Sequence, residues 1–280
     1  NTTASNNTAV GYQAAYSNTS DNISAFGWKA LYGNTSGEYN IALGNQALLS
    51  NTTGTKNTAS GYQALVSNTT ASSNTAVGYQ SAYSTTTAGN NVAFGDTALR
   101  TNTTGGNAVA IGARALYSMT TANGNTAVGM SAAYYTTTGQ YNTALGRSAL
   151  QSNTTAPNNV AVGYQAGYAI TTADRSTIVG TKAADNLTTG GGNVVVGYHA
   201  MGNATTADLS TVVGYQAGEG ITTGARNTMV GVNAGAATTT GTGNTFIGGA
   251  STGAGNGAGR HVTTGSRNTI LGTYDGNQGG

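Results

Sequence analysis

The amino-acid sequence predicts an all-β chain, a parallel β-solenoid (β-roll) of about sixteen 17-residue coils. Three observations carry that prediction. A glycine recurs at a fixed period, an extended apolar triplet precedes it, and polar residues of one kind return at constant phase.

The glycine comes first because it sets the period. It follows a small-apolar pair, as in Ala9-Val10-Gly11, and returns at Gly27, Gly44, Gly61, Gly78 and onward to Gly248. From Gly27 to Gly248 is 221 residues, or 13 periods of 17. The first interval is 16 residues and the last, to Gly272, is 24, which is one period plus a seven-residue insertion. Such self-similarity marks a repeat architecture, and 17 residues are too few for a helix-turn-helix unit. They suit a coil of two or three short strands. The pattern divides the chain into regular repeats over 1–248, an insertion over 249–262, and a final coil with C-terminal segment over 263–280.

The triplet before each glycine reads as a strand. Its last residue is apolar in nearly every unit (Val10, Phe26, Leu43, Phe94, Ile111; Ser60 is polar), and its first is Thr, Val or Ile in most. First and last residues share a face and are expected inside the coil. The middle residue is Ala in ten consecutive units from Ala9 to Ala161, then Ile178, Val195, Val212, Met229, Phe246 and Ile270. It is expected to point outward. Apolar residues on both faces imply burial on both, so this middle column is expected against sister chains about a three-fold axis, widening the core towards the C-terminus. A thicker single-chain core is the other reading. Ala or Ser stands three after the glycine, from Ala14 to Ser251, where a tight corner or close approach suits it.

Thr stands eight after the glycine in all fourteen units before the insertion, and Asn four before it in most, as at Asn40, Asn57 and Asn74. Identical side chains stack when coils lie about 4.8 Å apart, and stacked amides hydrogen-bond along the axis. Sixteen coils at that spacing give a rod roughly 75 Å long. Each coil encloses few side chains, so a lone chain is expected to be marginal.

Composition narrows the function classes. Of 280 residues 44 are Gly, one is Pro, none is Cys and only 6% are charged, against about 25% in ordinary domains. Disorder fits poorly with 38% regularly placed apolar residues, and glycine does not recur every third residue as collagen requires. A net charge of +2 without a Lys/Arg cluster gives nucleic-acid binding no support. No apolar run approaches the ~18 residues of a membrane span. Asn1-Thr2-Thr3 already lies inside the repeat, so the chain reads as a fragment or processed product.

At Asn74-Thr75-Ala76-Val77-Gly78-Tyr79-Gln80 and its copies, the sequence resembles the Asn-Thr-Ala-x-Gly-Tyr-Gln-Ala-Leu repeats of tail-fibre-domain proteins, found in phages and on bacterial surfaces. It is similar, less closely, to the head repeat of YadA-like trimeric adhesins. The stretch Gly265–Gly272 onward to Gly280 looks like the segment preceding the distal part of phage fibres. The resemblance implies a homotrimeric β-roll fibre on a virion tail or cell surface. Its expected partners are copies of itself and a host cell-surface glycan or protein, with neither nucleic acid nor membrane insertion. A bacterial adhesin or extracellular filament is one alternative. An ice- or surface-binding solenoid is another, although adjacent Thr-Thr pairs turn one hydroxyl away from any flat face.

No catalytic, cofactor-binding or metal-ligating residue is expected, and the chain is read as no enzyme. His199 and His261 sit in different coils, and the eight acidic residues are read as falling at unrelated phases, as surface groups. Gly253, Gly255, Gly257 and Gly259 lack the strand, helix and lysine of a phosphate loop. The Asn-x-Thr/Ser triplets at Asn18, Asn34, Asn51, Asn68, Asn102 and Asn153 have the form of glycosylation acceptors. Their shared phase makes turn chemistry the preferred reading. For receptor or glycan contact the candidates are Tyr79, Tyr164 and Tyr215, in an aromatic row after the glycine, and Arg260 and His261 in the insertion. Two readings stand for the rings, stacking on sugars or on one another, with the second preferred.

Overall fold

In the computed structural model, which describes residues 4–249 and 257–273, each coil contains a single strand of three residues. Among the described residues sixteen strands run parallel in a β-solenoid, with no helix. The chain divides into two units, Asn1–Tyr141 and Asn142–Gly280. Unit 1 holds β1 (Thr8–Val10), β2 (Ser24–Phe26), β3 (Ile41–Leu43), β4 (Thr58–Ser60), β5 (Thr75–Val77), β6 (Val92–Phe94), β7 (Val109–Ile111) and β8 (Thr126–Val128). Unit 2 holds β9 (Thr143–Leu145), β10 (Val160–Val162), β11 (Thr177–Val179), β12 (Val194–Val196), β13 (Thr211–Val213), β14 (Thr228–Val230), β15 (Thr245–Ile247) and β16 (Thr269–Leu271). Within each unit successive strands pair in register, as Ala59↔Ala76 and Ile178↔Val195.

The coil has one strand, not two or three, because its backbone turns left-handed three times. Counting the repeat glycine as position 0, positions +2, +4 and +12 take positive φ, as at Gln63 (55°), Leu65 (51°) and Ser73 (62°). An L-residue there costs roughly 1–2 kcal/mol. The cost is offset because each N–H of such a residue reaches a neighbouring coil: Gln63 to Asn45 O (2.9 Å), Leu65 to Ser81 O (3.0 Å), Ser73 to Thr55 O (3.0 Å). Inter-coil bonding therefore runs around the perimeter and not only through the sheet.

The repeat glycines lie in a single file. Gly61, Gly78 and Gly95 have φ of 140°, 132° and 139°. A Cβ on Gly61 would sit 2.7 Å from the carbonyl carbon of Gly78, and one on Gly78 2.7 Å from that of Gly95. Only glycine meets both demands.

Inside and outside are the reverse of the expectation. The middle residue of the triplet points into the coil: Ala42, Ala76, Ala93, Ile178, Val195 and Phe246 are fully buried. The flanking residues point out, with Phe26, Leu43, Phe94, Leu145 and Ile247 all at least 40% exposed. The interior takes one residue of each triplet, large or small, and the two that flank it go outside, as buried Phe246 beside exposed Ile247 shows. The interior is filled by the middle residue, the Ala at +3 and the residue at +4, such as Ala47 and Leu48.

Large residues in the middle column therefore do not widen the core. They are matched by small ones at +4. Leu31, Leu48, Leu65, Leu99 and Leu116 accompany Ala42, Ala59, Ala76, Ala110 and Ala127, whereas Gly167, Gly218 and Gly235 accompany Ile178, Met229 and Phe246. A Cβ on Gly235 would come within 2.7 Å of Met229 Cε and 3.0 Å of Phe246 Cδ2. Where Val212 meets Met201, the space comes from Ala204 at +7.

Two asparagine columns close the polar interior. At +13, Asn57 accepts from Asn74 N–H (3.0 Å) and donates to Ala71 O (2.8 Å), joining two backbone groups of the next coil. At +7, Asn34, Asn51 and Asn68 form an amide ladder at 2.7 Å per step. The Thr column at +8 donates each hydroxyl to the next Thr carbonyl, as Thr35 to Thr52 (3.0 Å).

After the insertion, Gly235 N–H bonds Ala258 O and Thr239 N–H bonds Thr263 O. The regular coil thus resumes by Ala258, which takes the small-residue position expected for Ser251. Ser251 and the rest of 250–256 lie outside the described residues, as does the stretch 274–280.

Gly78→Ala is expected to destabilise the chain by about 3 kcal/mol or more, from strain and clash together. Asn57→Ala, which orphans the buried Asn74 N–H and leaves Ala71 O with Asn68 as its side-chain donor, is expected to cost about 1–3 kcal/mol. Thermal and urea unfolding read both, and wild-type midpoints in either variant would contradict the stacking account.

Candidate functional site

The expected recognition residues are all described; they fall in two units, and those of unit 2 lie in three different coils. Tyr79 belongs to unit 1, while Tyr164, Tyr215, Arg260 and His261 belong to unit 2. In unit 2, Tyr164 and Tyr215 both occupy +1 three coils apart, about 14 Å along the axis. Arg260 and His261 stand at +5 and +6 of the resumed coil and not in the insertion, because Ala237 N–H bonds Arg260 O in the regular manner.

The aromatic rows stack coil on coil. Tyr79 lies over Tyr62 (5.4 Å, 8°) and Tyr215 over Tyr198 (5.4 Å, 12°). At +5, Tyr16 lies over Tyr32 (5.3 Å, 7°) and Tyr117 over Tyr134 (5.0 Å, 4°). Centroid distances near the coil spacing with nearly parallel planes make these rings staples between coils. Cations complete the rows: the Arg100 guanidinium is 5.4 Å from the Tyr83 ring and 5.8 Å from Tyr117, and that of Arg147 is 5.8 Å from Tyr164. Such contacts contribute about 0.5–1 kcal/mol each at exposed sites. At +2 the amides of Gln46, Gln63 and Gln80 form a ladder at 2.7 and 2.8 Å.

The Asn-x-Thr/Ser asparagines are interior groups. Asn34, Asn51, Asn68, Asn102 and Asn153 are fully buried and Asn18 nearly so. Their side chains bond the +10 carbonyl of their own coil, as Asn51 Nδ2 to Gly54 O (3.0 Å). The folded coil leaves no room for a glycan on them.

One titratable cluster escaped the sequence reading. Asp185 and Glu219 both stand at +5, two periods apart, and Gly202 occupies that position between them. The His199 imidazole fills the space Gly202 leaves, so that a Cβ there would be 2.6 Å from His199 Cε1. His199 Nδ1 lies 3.2 Å from Glu219 Oε1, and Nε2 3.9 Å from Asp185 Oδ1. The acidic residues thus do share phases; Asp174 and Asp208 also coincide, at +11. The legible signal was two carboxylates one double period apart with a glycine between them. Burial pushes the Asp185 carboxyl above its usual range, with His199, its own backbone N–H and Lys182 pulling back in that order. Its Oδ1 is buried without a hydrogen-bond partner. The three side chains come together across three coils.

Among the described residues no group of three or more His, Cys, Asp or Glu could hold a metal ion, and no helix is long and apolar enough to cross a membrane. Fold and surface together define a parallel β-solenoid repeat protein. In comparisons with protein-family models, curated proteins and solved structures, nothing matches the chain.

The raised Asp185 pKa has a definite sign. The folded carboxyl keeps its proton to higher pH than the unfolded one, so stability falls as pH rises from the ordinary value of 3.8 through the folded one. Asp185→Asn removes that cost. The variant is expected to melt above wild type at pH 7, the gap closing as pH falls below about 4. A variant melting lower at neutral pH and equal in acid would show the ionised carboxylate to be a net stabiliser.

Proposed function

We propose that the chain is a structural and adhesive fibre segment, the shaft or head of a phage tail fibre that assembles as a homotrimer and attaches to a host surface. The observation that carries this reading is the outer face of the strands. In each unit the residues flanking the buried middle position form an apolar stripe from coil to coil: Val10, Phe26, Leu43, Phe94 and Ile111 in unit 1, Leu145, Val160, Val194 and Ile247 in unit 2, all exposed. At about 4.8 Å per coil and 7 Å of strand width, eight coils give roughly 270 Å² of projected strand face per unit, with the column before the glycine as its apolar part and Thr at most first positions. The apolar side chains recur with the coil, Ser60 apart, as a face covered by an equally periodic partner would require. Three copies about an axis parallel to the coils would each cover it. The three-fold contact thus moves from the middle column, which is interior, to the flanking columns.

The remaining surface suits a passive fibre. Thr, Asn and Gln side chains bond along the axis, and the charged groups are few. A bacterial surface adhesin shares every one of these features. The ice-binding reading loses ground, because the first Thr hydroxyl of each pair donates to a carbonyl of the next coil.

Two measurements test the reading. In sedimentation the purified chain is expected at three times its monomer mass, with the paired substitution Leu43→Lys and Phe94→Lys weakening association by about tenfold or more through burial of uncompensated charge. A stable wild-type monomer would refute assembly through this face. Gold-labelled antibody against the chain is expected on virion tails in native material. Label confined to cell envelopes would favour the adhesin, and label on neither would end the fibre reading.

A further inference from the structure

Unit 1 breaks its own pattern over two coils, and the break makes a notch. At +1, the stacked rings of Tyr62 and Tyr79 are followed by Asp96 and Ala113; at +2, the Gln ladder ends at Gln80 and gives way to Thr97 and Arg114. Two missing rings leave a depression about 10 Å long. The half-exposed ring of Tyr79 closes one end, and Tyr117 and Tyr134 form a side wall.

The polar groups in this notch are held in place. Arg100 stands in the wall between Tyr83 and Tyr117, its Nε donating to Gln80 Oε1 (3.3 Å) and its Nη1 to the Tyr117 hydroxyl (3.2 Å). Asp96 accepts from the nearly buried Thr97 hydroxyl (2.9 Å). Arg114 is exposed, and its guanidinium makes no hydrogen bond or ion pair among the described residues. The notch therefore offers aromatic faces, a carboxylate, an amide and two guanidinium groups, one of them without a partner.

We propose that this notch binds an anionic saccharide. A pyranose has a C–H face suited to a ring such as Tyr79 and a rim of hydroxyls that need both donors and acceptors. Asp96 and Gln80 supply those. Two arginines against one carboxylate leave positive charge over, and the guanidinium fork matches a sugar carboxylate bidentately. The unpartnered Arg114 is placed to receive it. Tyr164 and Tyr215 have no such surroundings: the first lies beside Arg147 and the second continues a stacked pair. The proposal rests on the attachment reading and gives it a ligand class.

The full chain is titrated calorimetrically with a glucuronate-terminated trisaccharide and with its glucose-terminated counterpart. The acidic sugar is expected to bind about tenfold or more tightly than the neutral one, one charged hydrogen-bonded pair apart. Arg114→Gln and Asp96→Tyr each restore the residue the repeat carries elsewhere, so both are expected to melt as wild type. The first should erase the preference for the acid, and the second, by refilling the notch, should abolish binding. Equal binding of the two sugars, no saturable binding, or wild-type binding by Arg114→Gln would overturn the proposal. Gold label on virion tails with no saccharide bound would sink the notch alone. Saccharide binding without label on virions or cells would leave the notch and sink the fibre reading.

Discussion

Hydrogen bonding from each coil to its neighbours, outside the strand as well as within it, is the constraint on which the rest of this structure depends. A three-residue strand satisfies few backbone groups, and a coil with three left-handed corners has no helix or wide sheet to satisfy the others. The asparagines at +13 and the corner N–H groups do so by reaching one coil along, and those at +7 by bonding a carbonyl of their own coil. A shift of one residue would misplace all of them together. Length changes fall away from the two asparagine positions. The seven-residue insertion leaves the coil after Gly248 and is over by Ala258, on the turn between the glycine and the +3 residue. In the first coil Asn18 bonds Ser20 O where Asn34 bonds Gly37 O, so the single missing residue falls at +9.

Volume is the second constraint, and it follows from the first. With the perimeter held at 17 residues the cross-section is constant, so interior side chains can only trade volume among themselves. Leu65 with Ala76 and Gly235 with Phe246 are two solutions of one packing problem, in keeping with interiors packed to crystal-like density. The changeover after Ala161 is a change of solution and not of coil size.

Period, register, glycine file and polar ladders were legible because each is a statement about phase, and phase survives in a sequence without any knowledge of direction. Which side of the strand faces in was not legible from alternation, since alternation has no sign. Hydrophobicity supplied the wrong one: Phe26 and Leu43 are more apolar than Ala25 and Ala42, yet it is the alanines that the coil encloses. The reciprocal sizes at +4 and in the middle column carried the right answer. Shared phase likewise pointed to Asp185 and Glu219. The notch in unit 1 was hidden for the opposite reason, because Asp96, Ala113 and Arg114 are departures from the repeat and a consensus discards departures.

That last contrast bears on where function can reside. Positions that keep the repeat are occupied by the repeat: the +8 Thr hydroxyls, the +13 Asn amides, the Gln ladder and one face of each stacked Tyr are engaged by a neighbouring coil. A ligand competing for them would have to break bonds that hold the coil together. Two kinds of surface escape this. One is the outer face of the strands, whose apolar residues have no partner within the chain and repeat with the coil, so that whatever covers it is expected to be periodic too, as another copy is. The other is the set of irregular positions, where a missing ring or an unpaired guanidinium leaves capacity that the neighbouring coils do not use. In a protein built almost wholly from one unit, assembly belongs to what is repeated and recognition to what is not.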